Sequence, residues 1–157
     1  LKRDVAAFAD SAPERARVVG GHPMAGATDH GYAAARADLF RGRPFFLVPT
    51  ARADEDAMRL AGDVARAAGA VPTVVSAPEH DRIVATLSGL PLVVALALAR
   101  VGADVSAFAG PGFSDATRLA QTPPELADAL LRGNAAEVRA ALARLRVALD
   151  DVERGIG

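Results

Sequence analysis

Apolar positions along the chain follow two spacings, and the pattern changes once. Lys2 to Ala9 reads as a short amphipathic helix. Arg17 to Gly20 is a short β-type run that ends in glycines. Thr28 or Asp29 can cap a helix through "HGYAAARADLF", and "RPFFLVPT" (43–50) has the continuous apolar character of a buried strand, stopped by Pro49. "ADEDAMRLAGDVARAAGA" places apolar residues at helical spacing, with acids in its first turn where the positive helix end favours them, and it ends near Gly69. "AVPTVVS" is a further strand. Residues 1–76 therefore read helix, strand, helix, strand, helix, strand, the alternation of an α/β layer with parallel strands.

From Ser76 onward no strand pattern appears. Ser76-x-x-Glu79 has the form of a capping box, with Pro78 inside the first turn. The helical pattern it opens runs to about Gly102, and Pro91 predicts a kink. Beyond it come "DVSAFAG", the turn "GPGFS", a helix from Asp115 with Ser114 as its N-cap, and helices after Pro124 and Asn134. The expected fold class is α/β, the tail of an α/β domain (1–76), followed by an all-α helical domain (77–157). Positions 83–98 are apolar nearly all round, which calls for burial on every side. Few helices remain to cover them, so a second subunit is expected.

Composition narrows the class. The chain has 157 residues, 51% of them hydrophobic, so it can form a real core. Its formal net charge of −1 gives no electrostatic reason to bind nucleic acid or an acidic membrane surface. It has no cysteine, hence no disulfide framework, thiolate metal site or cysteine nucleophile. The apolar stretch 83–98 is interrupted by Thr86, Ser88, Gly89 and Pro91 and falls short of the roughly 18–20 residues of a membrane span. A cytoplasmic setting is the default expectation. "LKRDVAAFAD" reads as a helix already under way, which suggests the later part of a longer protein.

The candidate chemistry is sparse. His22 lies where a strand candidate meets a glycine pair, with Pro23 fixing the chain beyond it. An imidazole in that place can exchange protons near neutral pH or simply close off a strand. His30, beside Gly31, reads as solvated or capping. His80, between Glu79 and Asp81, reads as part of the electrostatics of a helix start. Arg118 falls near the expected helix start at Asp115. A cation is unfavourable there unless it and the helix end face one anion together; pairing with Asp115 is the other reading. The chain contains no complete G-x-G-x-x-G, no Walker A and no metal-ligand cluster.

Four separated stretches, "GGHPMAG", "LFRGRPFFLVPT", "PEHDRIVATLSGLP" and "GFSDATRLA", occur in an order that resembles the prephenate/arogenate dehydrogenases of tyrosine biosynthesis. The resemblance implies that residues 1–76 are the end of a Rossmann-type dinucleotide-binding domain and 77–157 an all-α dimerisation domain, with the glycine-rich nucleotide turn upstream of Leu1. It implies a cytoplasmic homodimer that uses NAD or NADP, with no metal, to oxidise a cyclohexadienyl 4-hydroxyl as the ring carboxylate leaves as carbon dioxide. By position in the motifs, His22 corresponds to the catalytic base, Arg118 to the arginine that holds a substrate carboxylate and Ser88 to a substrate contact. Gly21, Met24 and Gly26 correspond to cofactor contacts. Where the family reads Ser-His-Leu-Pro-His, this chain reads Ser88-Gly89-Leu90-Pro91-Leu92, and Ser114 stands where an arginine is usual. The two missing histidines bear on substrate choice and activity. They favour, as the alternative, a catalytically impaired member acting as a dimeric ligand-binding or regulatory protein. A 3-hydroxyacid dehydrogenase shares the two-part plan, but "HPMAG" with "EHD" argues against it.

Overall fold

The computed structural model describes residues 1–26, 31–32 and 35–156. The chain divides into two compact units, Leu1–His80 and Asp81–Gly157.

In the first unit, helix α1 (Lys2–Ser11) precedes a three-stranded sheet of order β1-β2-β3, formed by Val19–Pro23, Pro44–Pro49 and Val71–Val74. The apolar run at β2 takes the central place, and Phe46, Leu47 and Val48 are all buried. β2 and β3 are parallel and joined by α2 (Glu55–Ala67). Asp54 caps α2 by accepting the Ala57 N–H at 2.8 Å, one of the donors a helix start leaves unpaired. Gly69, at φ +78°, then turns the chain back into the sheet, a conformation that glycine adopts at little steric cost.

β1 departs from the expected parallel layer. It runs antiparallel to β2, with Val19 opposite Pro49 and Pro23 opposite Phe45. A parallel neighbour needs a crossover, usually a helix. The helix expected through "HGYAAARADLF" does not supply one: the described residues 37–42 are turns, closed by bonds such as Arg41 N–H to Asp38 O at 3.0 Å. Arg36 grips Asp38 locally, and Gly42 has φ +68°, outside the helical region. Thr28, Asp29 and His30, expected to cap or flank that helix, lie outside the described residues.

β1 also extends past Gly20 and includes His22, where the sequence suggested that it stops. The glycines are accommodated because neighbours approach closely. A Cβ on Gly20 would lie 3.0 Å from Lys2 Cδ, and one on Gly21 would lie 3.1 Å from Phe45 Cε1.

The second unit contains no strand among its described residues. Ser76 accepts the Glu79 N–H at 3.2 Å ahead of α3 (Ala77–Val84), as half of the expected capping box. A π-turn (Ala85–Gly89) leads directly into α4 (Leu90–Val101). Leu90 N–H bonds to Ala85 O, five residues back, and Pro91, the next residue, has no N–H to offer. The predicted break at Pro91 is therefore a widened turn just before it, and the helix continues. As a result Ala77–Val101 is 25 residues long with an 18-residue window of mean hydropathy 2.0, which by length and composition could cross a membrane, contrary to the expectation from its interruptions. Within the second unit its part from Asp81 onward serves as a core helix on one side, with Val84, Ala85, Leu92 and Ala95 buried, while Leu87, Leu96 and Val101 are exposed. Burial on all sides does not occur in the single chain.

A 3-10 turn (Ala103–Phe108), α5 (Pro111–Thr117), a second 3-10 turn (Arg118–Gln121), α6 (Pro124–Arg132) and α7 (Ala135–Ile156) complete the unit. The buried Asn134, between α6 and α7, donates to the Asp81 carbonyl at 2.7 Å. α5 begins at Pro111, not at Asp115. Pro111 has the fixed φ of a first helical residue, and Ser114 lies inside the helix, donating to Gly110 O at 3.3 Å.

Candidate active site

His22 sits on β1 opposite Phe46 of β2 and is half-buried. Its Nδ1 lies 2.7 Å from Nε2 of His80, in the first turn of α3. The two rings are 5.0 Å apart and tilted by 53°. Phe46 meets the other side of His80 edge-on, with centroids 5.7 Å apart. His80 is 1% exposed and is among the largest fully buried side chains. It stands at a helix start, as its neighbours suggest, but it is the buried partner of His22 and not a solvent-facing part of the helix-end electrostatics. The available signal was its four-residue spacing from Val84, one helical turn along a face that proves buried at both positions.

Burial pushes the His22 imidazole down from 6.5 to about 4, and the neighbouring positive forms of His80 and Lys2 push the same way. His22 is therefore neutral at neutral pH. Its Nδ1 is engaged, and Nε2 has no hydrogen-bonding partner among the described residues. A neutral imidazole held by one nitrogen and open at the other can accept or deliver a proton at the open one.

The residues matched to cofactor contacts divide between two cavities. Met24 and Gly26 line one of about 470 Å³ together with Arg36, Asp38, Arg41 and Arg43. Among the described residues, nothing lies within 4 Å of where a Cβ on Gly26 would be. Gly21 lines a different cavity of about 660 Å³, between the sheet and α2, with Phe45, Leu47 and Leu60. Among the described residues no group of His, Asp and Glu is placed to hold a metal.

Ser88 and Arg118 belong to the second unit. Ser88 is in the π-turn. Arg118 is exposed and makes no hydrogen bond or ion pair to any described residue, Asp115 included. It lies at the C-terminal end of α5, so the helix-start argument for an anion does not hold; a cation there is favoured by the last carbonyls instead. The two positions where the family has histidines are occupied by packing residues. A Cβ on Gly89 would fall 2.9 Å from Val138 Cγ2 of α7, and Leu92 is 2% exposed.

Sequence models for the two halves of one family match in tandem. The nucleotide-binding domain of prephenate dehydrogenase matches residues 1–74, and its dimerization domain matches 76–156. The chain belongs to the prephenate dehydrogenase family. Within that family, the prephenate dehydrogenase of Bacillus subtilis is 33% identical over 133 residues, covering 80% of this chain and 36% of the relative. The cyclohexadienyl dehydrogenase of Zymomonas mobilis is 30% identical over 126 residues, covering 75% and 43%. Among solved structures, Aquifex aeolicus prephenate dehydrogenase in complex with hydroxyphenyl propionate and NAD+ superposes with a TM-score of 0.81 at 29% identity, covering 88% of this chain and 51% of that one. Synechocystis arogenate dehydrogenase gives 0.75 at 28%, covering 88% and 53%. The chain spans less than half the length of these curated relatives and about half that of the solved chains. Its two-part fold, with a small sheet from the nucleotide-binding domain and a helical dimerization domain, is that of the prephenate dehydrogenase family.

Proposed function

We propose that the protein carrying this chain is an NAD(P)-dependent dehydrogenase that converts prephenate to 4-hydroxyphenylpyruvate, or arogenate to tyrosine, in the cytoplasm. The observation that carries this reading is His22: a neutral imidazole on a strand, anchored at Nδ1 and with Nε2 unpartnered among the described residues, in a chain of this family. His22 Nε2 accepts the proton of the substrate 4-hydroxyl as that carbon gives up hydride, and the ring carboxylate then leaves as carbon dioxide to make the ring aromatic. Arg118 grips a substrate carboxylate with its guanidinium fork. Its exposure, with no hydrogen-bonding or ion-pair partner among the described residues, leaves the fork available. Ser88 offers a hydroxyl to the substrate. Met24 and Gly26, which line one cavity, fit contact with the nicotinamide cofactor, as does Gly21 beside the Phe45 ring. When bound, the cofactor supplies the hydride acceptor. The matched dimerization domain and the exposed Leu96, Leu98, Val101, Val105 and Phe108 support a homodimer formed through the helical unit.

The test is spectrophotometric: nicotinamide reduction with prephenate and with arogenate, using NAD and NADP in turn. Turnover in one combination is expected, and its loss in all four overturns the reading. A second reading rests on Gly89 and Leu92. With both histidine positions given over to packing, the protein is a ligand-binding member that has lost catalysis. Thermal protection by prephenate without turnover distinguishes it.

A further inference from the structure

We propose that His80 is a positioning residue that fixes the tautomer of His22, holding the proton on Nδ1 so that Nε2 presents a lone pair. This rests on the reading of His22 as a base. At a 2.7 Å separation between two ring nitrogens, one of them must carry the hydrogen and the other must accept it. If His80 donated, the neutral His22 would carry its hydrogen on Nε2 and could not act there as a base. If His80 accepts, His22 Nδ1 donates and Nε2 is bare. A base at the open nitrogen therefore requires His80 to be the acceptor.

The surroundings suit that task. His80 is on a helix, fully buried, and flanked edge-on by Phe46, so its ring cannot turn freely to offer the other nitrogen. Among the described residues, no buried side-chain nitrogen or oxygen lacks a hydrogen-bond partner, so the other ring nitrogen of His80 is not stranded by this arrangement. His22 remains neutral over the working range, so tautomer choice, more than protonation, decides what Nε2 does. The logic is that of hydrolytic triads, in which a third group holds a catalytic imidazole in the useful tautomer, here with a ring nitrogen in place of a carboxylate oxygen.

The experiment is long-range 1H–15N spectroscopy of the imidazoles at neutral pH, with the His22 signals assigned by their loss in His22→Asn. The expected result is hydrogen on His22 Nδ1 and a bare Nε2. In His80→Leu the Nε2–H form should gain, and kcat should fall roughly 10- to 100-fold while substrate KM stays nearly constant. His80→Gln keeps a carbonyl acceptor and should restore most of both readouts, which a purely structural role would not predict. A wild-type spectrum with hydrogen on Nε2 overturns the proposal, and so does a tautomer that His80→Leu leaves unmoved. Should His80→Leu fail to fold, the wild-type spectrum and His80→Gln carry the test alone. A tautomer that shifts in His80→Leu with kcat unchanged sinks the base reading of His22 and leaves the His80 contact as described.

Discussion

The His22 corner of the sheet and the Arg118 segment contrast in how much of their order the chain itself supplies. His22 has a strand to fix its backbone, a buried ring to hold its Nδ1 and enough burial to keep it neutral. Arg118 ends a helix of seven residues, is exposed and touches no partner among the described residues. The difference follows from the tasks assigned to the two residues. A base must be neutral and aimed before substrate arrives, and water-facing imidazoles achieve neither well. An arginine that grips a carboxylate needs no pKa adjustment, and the ligand can supply its order.

The sharpest way to break this contrast is at His22. His22→Asn should leave circular dichroism unchanged and reduce kcat roughly 10²–10⁴-fold, the range of a lost general base. Near-wild-type kcat would remove the preorganised corner from the mechanism. Arg118→Ala should raise substrate KM roughly 10- to 100-fold, as expected for a lost charge-assisted contact of about 1.5–3 kcal/mol, with a smaller effect on kcat. Arg118→Lys should fall between the two. Because Arg118 is exposed and makes no hydrogen bond or ion pair among the described residues, the melting temperature should barely move; a clear drop would place it in the packing instead.

A third change tests the departure from the family pattern. Gly89→His restores a family residue, but its Cβ would meet Val138 at 2.9 Å. Overpacking of this kind costs about 1–3 kcal/mol. Denaturant titration should show that loss for Gly89→His and a partial recovery when Val138→Ala is added. Equal stability of Gly89→His and wild type would show that α7 yields easily. The smallest expected effect concerns pH. The folded form of His22 binds its proton only near pH 4, whereas the unfolded chain binds it near 6.5. The unfolded state therefore gains protons first as pH falls, so this residue lowers stability progressively from about 6.5 down to about 4 and not below. In His22→Asn that slope should disappear from the pH dependence of unfolding. The acid limb of kcat/KM should likewise lie near 4, well below the usual histidine range.

Local signals gave the elements that local chemistry specifies. The Ser76 cap, the acidic start of α2 and the apolar run of β2 lie where their residue types placed them, because each depends on neighbours a few positions away. The direction of β1 did not follow from alternation, since "HGYAAARADLF" has helix-forming residues and only the tertiary fold shows that residues 37–42 are turns. Ser114 resembled an N-cap, but the helix starts at Pro111, four residues before Asp115, with Gly110 as its N-cap. In the site, His22 announced itself through the glycines and proline around it. Its partner did not: 58 residues separate them, and a single sequence says little about which buried side chains meet.

The π-turn at Ala85–Gly89 has a further consequence, for chain length. Such a turn holds one residue more than a regular helix would, without altering the phase of the segments on either side. Removing one residue inside it would convert the five-residue bond at Leu90 into an ordinary four-residue one. Val84 would keep its alignment with Leu92 and Ala95. The same deletion a few positions later, within α4, would rotate everything beyond it by about 100° and expose what is now buried. The turn is thus a place where this helix can gain or lose a residue between relatives while its buried face stays in step.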